Sequence, residues 1–473
     1  MLRSIKFVPA ERDVFMRCNC SKFLLTISLF CFFLPCSAND GSNEGANKSA
    51  NADALSISGS NTLGAKLIPS CAKSYLAHKG GDQPRINITS TNEFNVSAPN
   101  LADEFDIKAH GSSTGFKSLL AGEASIAMSS RAIKAKEVTA LSSTGDMLSA
   151  AAEHTVALDG LAILVHQNNP VNELSTKQIA EVFSGKITNW SAVGGEDRPI
   201  SLYARDENSG TWDTFNNLVL GKQYQLRSDA SRFESNDNLS DQVATDLGGI
   251  GFAGLASVRS AKLLAVSDEE TPAVLPTRLS VATEDYPLTR RLFLYTPLSL
   301  KDDQVDQFVE FCQSSLGQKV VAEVGFVSQN IIAVEQEVVP NAPSRYQELA
   351  GFADRLSVNF RFKPGSSQLD NKAVRDVQRL VDFLRQPENV GRPIYLVGFS
   401  DQGKTDQSTQ LLSRFRALSV WSALYKEGVL VYESMGFGAF MPVASNLNKV
   451  SKLKNGRVEV WVASATQSKI AGL

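Results

Sequence analysis

Three short segments of this chain combine Ser or Thr with Gly in an order that suits the capture of an anion: SGSNTLG at 58–64, HGSSTGFK at 110–117 and ARDENSGT at 204–211. Each stands where a strand-like run gives way to a helix-like one. The first turn of a helix leaves backbone N–H groups unpaired and carries a partial positive charge, so such junctions attract oxyanions. The third segment adds Arg205, whose planar guanidinium can bind two oxyanion oxygens at once. At any single junction the plainer reading is a capped helix after a glycine turn. Three such loops together, followed by GGIGFAG at 248–254, favour a shared ligand.

Asp206 and Glu207 beside Arg205 raise a competing hydrolytic reading. Its partners are missing from the sequence. The four histidines, His78, His110, His154 and His166, are not at metal-ligand spacing, and no nucleophile–base pair is visible. His110, directly before GSSTG, reads as a structural histidine at a strand end. Binding is preferred to catalysis, with no metal and no cofactor. The formal charge of -3 leaves no basic excess for a phosphodiester backbone, so nucleic acid is not an expected partner.

The elements that must hold these loops read as an α/β chain. A length of 473 residues suggests two or three folding units at about 100–200 residues each, and 43% hydrophobic with 21% charged residues is a globular composition. From Ala54, strand-like runs (ALSISGS, PRINIT, DIKAHGSS, SIAMSS) alternate with helix-like ones (AKLIPSCAKSYLAHK, GFKSLLAGE), which predicts largely parallel sheets. TVALDGLAILVHQNN at 155–169 reads as a strand crossing between two lobes, and GGIGFAGLA as the strand leading back. TRRLFLYTP is a further strand, and residues 303–325 form an amphipathic helix pair. Pro340 and Pro343 mark residues 329–353 as a linker. Beyond it, SVNFRF, LDNKAVRDVQRLVDFLRQ, PIYLVGFSD, STQLLSRFRALSVWSALYKEG and NGRVEVWV predict a compact βαβαβ unit.

Taken in order through residues 54–328, the three loops, GGIGFAG and KQIAEVFSGKITNW at 177–190 resemble the phosphate-binding proteins that serve Pst-type ABC transporters. The resemblance implies a two-lobed periplasmic-binding-protein fold of the type II-like kind, with lobe I at about 54–157 and 252–328 and lobe II at about 158–251. It implies inorganic phosphate, or a similar tetrahedral oxyanion, as ligand and an inner-membrane ABC permease as partner. Carried over by motif position, the phosphate contacts are Thr62, Leu63 through its backbone, Ser112, Arg205, Ser209, Gly210 and Thr211. Ser130 stands where some members have an aspartate that accepts a hydrogen bond from protonated phosphate, and Arg131 follows it. A serine there implies weaker discrimination against sulfate. Arg131 reads as a second cleft guanidinium, with an exposed loop charge as the alternative.

In the last unit, FRFKPGSSQLD, LVGFSDQGKTD, LLSRFRALSV and NGRVEVWV resemble an OmpA-like domain over residues 354–464. The fold class expected is thus α/β throughout, a two-lobed binding fold followed by a smaller βαβαβ OmpA-like sandwich. The resemblance implies a grip on peptidoglycan, with Asp401 taking the ammonium and Arg416 the carboxylate of the diaminopimelate stem. An ordinary ion pair is the plainer reading. Two departures stand out: Thr409 replaces a common Asn, and Gly456 replaces an arginine of the closing motif, while Asn455 and Arg457 remain.

Arg17 and Lys22, the apolar run Phe23–Leu34 and PCSAND predict a signal peptide over residues 1–38, with Met16 as an alternative start and acylation at Cys36 as the second reading. The apolar run is too short for the roughly 20 residues that span a bilayer. A flexible leader at 39–53 and a tail at 465–473 complete the chain. Cys18, Cys20, Cys31 and Cys36 fall in or beside the signal, leaving Cys71 and Cys312, which can form a disulfide in an oxidising compartment or stay as two buried thiols. The expected protein is a periplasmic phosphate receptor held at the cell wall. A phosphate sensor or envelope scaffold is the alternative, and an enzyme on phosphorylated substrates a third.

Overall fold

The computed structural model describes residues 54–207, 209–403, 405–446 and 452–464. The expected signal, leader and tail lie outside the described residues.

β1 (Ala54–Gly59) leads through α1 (Asn61–Gly64) and α2 (Leu67–His78) into β2 (Arg85–Ser90), β3 (Glu93–Ser97) and β4 (Glu104–Lys108). α3 (Ser112–Ala121), β5 (Ile126–Ser129) and α4 (Ala135–Ala140) follow. Alternation of buried and half-buried residues along β1, with Leu55 and Ile57 inward, sets its register between β4 and β5, both parallel to it. β6 (Glu153–Val165), at 13 residues, is buried along almost its whole length, as the continuous apolar run requires.

β7 (Glu173–Ser175), α5 (Thr176–Phe183), β8 (Ser201–Arg205), α6 (Gly210–Phe215), β9 (Ser231–Phe233), α7 (Asn236–Thr245) and β10 (Gly249–Gly254) come next. β11 (Lys262–Leu263), β12 (Ala265–Ser267) and α8 (Arg278–Ala282) precede β13 (Thr289–Tyr295), α9 (Asp303–Gln313) and α10 (Ser315–Val324). The sheet order is β2-β3-β4-β1-β5-β13-β6-β10-β8-β9, with β11 beside β6. The first half of β6 pairs with β13 and the second half with β10, both antiparallel, so β6 is the strand that crosses between lobes.

Two expectations for the binding lobes need correction. The sheet is mixed, because β13, β10 and the β2–β3–β4 meander all run antiparallel to a neighbour. The return to the first lobe comes at β13 and not at residue 252: Leu264, Val266, Val281, Tyr286 and Leu288 share one core with Phe183, Trp190, Phe215 and Phe252 of the second lobe. Burying those side chains there holds residues 255–288 with lobe II. Lobe I has its own core around Ile57, Tyr75, Phe105 and Phe308. Cys71 and Cys312 lie in that core as free buried thiols, and burial pushes the Cys312 thiol well above its ordinary pKa.

The C-terminal unit comprises β14 (Ala333–Val334), α11 (Ser344–Ala350), β15 (Ala353–Arg361), α12 (Asn371–Leu384), β16 (Ile394–Phe399), α13 (Asp406–Lys426), β17 (Glu433–Gly436) and β18 (Arg457–Ala463). Its sheet runs β14-β15-β18-β16-β17. The expected βαβαβ order therefore gains β17, parallel to β16. The expected linker is also part of this unit: β14 pairs with β15, and Tyr346 and Leu349 of α11 pack with Phe399 and Trp461. Pro343 opens α11, a position where its missing N–H costs nothing.

Charged residues join this unit to the binding lobes. Asp285 takes Arg355 at 2.6 Å, Asn359 at 2.9 Å and Arg361 at 3.2 Å, while Arg291 of β13 holds Glu284 at 2.6 Å and Asp370 at 2.9 Å.

His154 on β6 is buried against Thr296. Burial, with Arg375 nearby, lowers its pKa from 6.5 to about 4. Between those values the unfolded chain binds a proton that the folded chain refuses, so stability falls as pH drops through that window, by about 3 kcal/mol in total. His154→Gln should flatten that stretch of a urea-stability curve measured at stepped pH. An unchanged slope would place the acid sensitivity elsewhere.

Candidate functional site

A cavity of about 590 Å³ lies between the two lobes, and Thr62, Asp159, Arg205, Ser209, Gly210 and Thr211 line it. Each loop is built locally. Ser60 caps α1 and accepts from Thr62 N at 3.2 Å, and Gly59 before it has φ +138°, where an added Cβ would sit 2.1 Å from the Met128 carbonyl. Leu63 is fully buried in the lobe I core, so only its backbone can serve a ligand.

On the opposite lobe Ser209 caps α6, accepting from Thr211 N at 3.1 Å and Trp212 N at 3.4 Å. Among the described residues its hydroxyl only accepts, and a serine O–H can also donate. Gly210 is required by proximity: a Cβ there would lie 2.2 Å from Thr62 Oγ1 and 3.5 Å from Ser130 Oγ. The missing side chain lets the start of α6 meet the first loop.

Arg205 ends β8 and is 8% exposed. Its Nε donates to the Phe233 carbonyl at 3.0 Å and its Nη2 to the Glu234 carbonyl at 2.5 Å, which aims the guanidinium along the cavity wall. Asp206 lies 3.6 Å away. Burial disfavours its charge, Asp206 supports it and Arg290 repels it, and the net pKa shift is downward. Such a desolvated cation gains more from an incoming anion than a hydrated one.

In the C-terminal unit, Arg416 Nη1 and Nη2 reach Asp401 Oδ1 at 3.3 and 3.4 Å, and Lys452 approaches Oδ2 at 3.5 Å. These contacts are longer than the roughly 2.7–2.9 Å of a tight ion pair. Arg416 Nε is buried without a hydrogen-bond partner among the described residues. Gly456 has a steric reason: a Cβ there would lie 2.6 Å from Arg416 Nη1. Asn455 holds the 443–446 loop through Val443 N and Ala444 N, and Thr409 Oγ1 accepts from Gly403 N, supporting the loop that carries Asp401.

Residues 86–315 match the PBP superfamily domain, and residues 361–456 match the OmpA family. The chain is thus similar to the PBP superfamily domain over one segment and to the OmpA family over a later one. Protein SphX of Synechococcus elongatus is 36% identical over 229 residues, covering 46% of this chain and 66% of that protein. Phosphate-binding protein PstS of Borreliella burgdorferi is 28% identical over 225 residues, covering 46% and 77%. Among solved structures, an ABC-type phosphate transport receptor from Vibrio cholerae is 28% identical, covers 58% of this chain and 99% of its own, and has a TM-score of 0.47.

Ser112 and Ser130 are not among the residues that line the cavity, although Ser130 Oγ lies 3.5 Å from where a Cβ on Gly210 would sit. Ser112 Oγ accepts from Ser130 N at 3.1 Å and lies 3.4 Å from Ser130 Oγ. Arg131 does not enter the cleft. Its guanidinium is bound bidentate by Glu137 at 2.7 and 2.9 Å and donates to Ser113 at 3.0 Å. The Glu137 carboxylate, on α4, satisfies the charge locally. His110 pairs with Glu93 at 3.0 Å, on the surface. Among the described residues, no group of three or more His, Cys, Asp or Glu could hold a metal.

Sequence reasoning missed Asp159 and Arg290. Arg290 of β13 donates Nε and Nη2 to Asp159 Oδ2 at 2.9 and 2.6 Å, Nη1 to the Gly210 carbonyl at 2.6 Å and to Thr214, and Nη2 to Thr62 Oγ1 at 3.5 Å. It thereby clasps both lobes beneath the cavity. A signal existed: one carboxylate inside an apolar strand run is rarely buried without a partner.

Proposed function

We propose that the chain binds inorganic phosphate, or a similar tetrahedral oxyanion, in the cavity between its two lobes. The observation that carries this is the meeting of two capped helix starts from opposite lobes with the desolvated Arg205 around one cavity. Hydroxyls, backbone N–H groups and a guanidinium form a donor cage, and lobe closure over the anion would remove its water. The PstS relative, named for phosphate binding, supports the ligand. Calorimetry of the phosphate-stripped full chain tests it: saturable one-site binding of inorganic phosphate is expected, and silent titrations would end the reading.

The second part of the proposal is that the C-terminal unit holds this receptor at peptidoglycan in the periplasm, from which the anion passes to an inner-membrane ABC permease. The loose Asp401–Arg416 pair, whose contacts at 3.3 and 3.4 Å are longer than a tight ion pair, suits a zwitterion that inserts ammonium and carboxylate between them. In sedimentation with purified peptidoglycan, Asp401→Asn and Arg416→Ala should each lose at least about tenfold in retention, as expected when a charge-assisted contact goes. Wild-type retention by Asp401→Asn, which keeps its shape, would remove the assignment.

A further inference from the structure

The long helix of the C-terminal unit is apolar on both sides. α13 packs on β16, β17, β18 and α12 with Ser413, Ala417, Val420 and Leu424, most of them small. Its bulkier apolar side chains point the other way: Leu411, Phe415, Leu418, Trp421 and Tyr425 are between 37% and 59% exposed. At about 3.6 residues per turn these five fall within one stripe about 120° wide. The Trp421 and Tyr425 rings stack at 5.2 Å along it. A groove of about 520 Å³ adjoins the stripe, sharing Leu418 with it and adding Arg414, Met435 and Phe437. A helix that is apolar all round is a buried helix, and among the described residues this face has no cover.

We propose that this stripe is the contact face of a homodimer, with a second copy's α13 lying antiparallel across it. The spacing selects that partner. From Leu411 the five residues follow at steps of four, three, three and four, which read the same in both directions. An antiparallel copy centred on Leu418 therefore brings Leu411 level with the partner's Tyr425 and Phe415 level with the partner's Trp421, while Leu418 meets itself on the two-fold axis. An isologous contact requires this self-complementary order. The area suffices as well: the five side chains leave open about 500 Å² per copy, or about 1,000 Å² for the pair, the size at which a specific interface begins. The adjoining groove adds to it. A lipid surface fits less well, because Arg414 and Lys426 are balanced by Asp406 and Glu427 and leave no basic excess. Arg416 lies on the buried side of α13, so the contact leaves the Asp401–Arg416 pair of each copy uncovered. On the peptidoglycan reading, two such pairs in one dimer raise retention by avidity.

Sedimentation velocity of the full chain tests the contact. A dimer is expected at about 10 μM protein, and Leu418→Glu, which sets two like charges against each other on the axis, should weaken it at least about 100-fold. Leu418 is half exposed, so the variant should melt like the wild type. Cysteine pairs read the orientation, against a background set by the wild-type chain's own cysteines. Leu418→Cys should cross-link to itself on oxidation, and Leu411→Cys should cross-link to Tyr425→Cys in a mixture and not to itself. These two positions lie fourteen residues apart, about 21 Å along a helix, so a parallel pair gives the opposite pattern. A wild type that stays monomeric at about 100 μM would overturn the proposal, as would a dimer that survives Leu418→Glu or a Leu411→Cys chain that cross-links to itself. A monomer that floats with anionic lipid vesicles, and no longer does so as Leu418→Glu, would give the stripe to a lipid surface and also end the dimer.

Discussion

Arg205→Ala is expected to weaken phosphate binding by at least about 100-fold, the largest single effect on the ligand. Arg205 is 8% exposed and its guanidinium is already held at the cavity by the Phe233 and Glu234 carbonyls, so no ordering of a long side chain is needed when the anion arrives. Truncation removes the countercharge in a poorly hydrated place and leaves two carbonyls without their donor. Arg205→Lys should fall between, because an ammonium keeps the charge and loses the fork. Calorimetry beside thermal unfolding separates a lost contact from a loosened β8–β9 edge. Binding by Arg205→Ala within about threefold of wild type, less than one hydrogen bond to a charge is worth, would place the anion elsewhere.

Asp285→Ala should cost about 3–5 kcal/mol of stability, more than a typical surface change by an order of magnitude. Burial alone would raise this carboxyl, but Arg355, Arg457 and Arg361 outweigh it and hold it below its ordinary value. Thr283 and Asn359 complete its hydrogen bonds. Removing it strands several guanidiniums inside a contact that joins the binding lobes to the C-terminal unit. Because the cluster is buried, salt should change this cost little. Urea unfolding of the full chain measures it, and a loss under about 1 kcal/mol would mean that water reaches these arginines freely. Asp285→Ala combined with Arg355→Met should recover part of the loss, since an apolar pair leaves fewer unmatched charges.

One strand, β13, reaches both the cleft and the C-terminal unit. Arg290 and Arg291 are neighbours on β13, and successive side chains of a strand point to opposite faces. Arg290 turns to the cleft through Asp159, and Arg291 to the C-terminal unit through Asp370. Nothing in TRRLFLYTP tells the two arginines apart, because alternation says they diverge without saying toward what.

Much of the donor cage was legible because it is local. A capping serine, a glycine and an arginine at the end of a strand run are set by a few consecutive residues, so Thr62, Arg205, Ser209, Gly210 and Thr211 could be named and are found around one cavity. The βαβ periodicity likewise made the elements readable, and the C-terminal Asp401 and Arg416 stand beside each other. Strand direction was not readable, since apolar alternation is the same in parallel and antiparallel partners. Nor was the lobe boundary, which is decided by which core buries Val281 and Tyr286.

The sequence by itself determined the segments that present donors to an anion, because helix capping and turn chemistry act over four or five residues. The tertiary structure alone decided which charges line the cavity. It withdrew Arg131, which Glu137 saturates, and supplied Asp159, whose partner Arg290 lies 131 residues away along the chain. A buried charge needs its partner in space and not in sequence, so its role appears only when the fold closes around it.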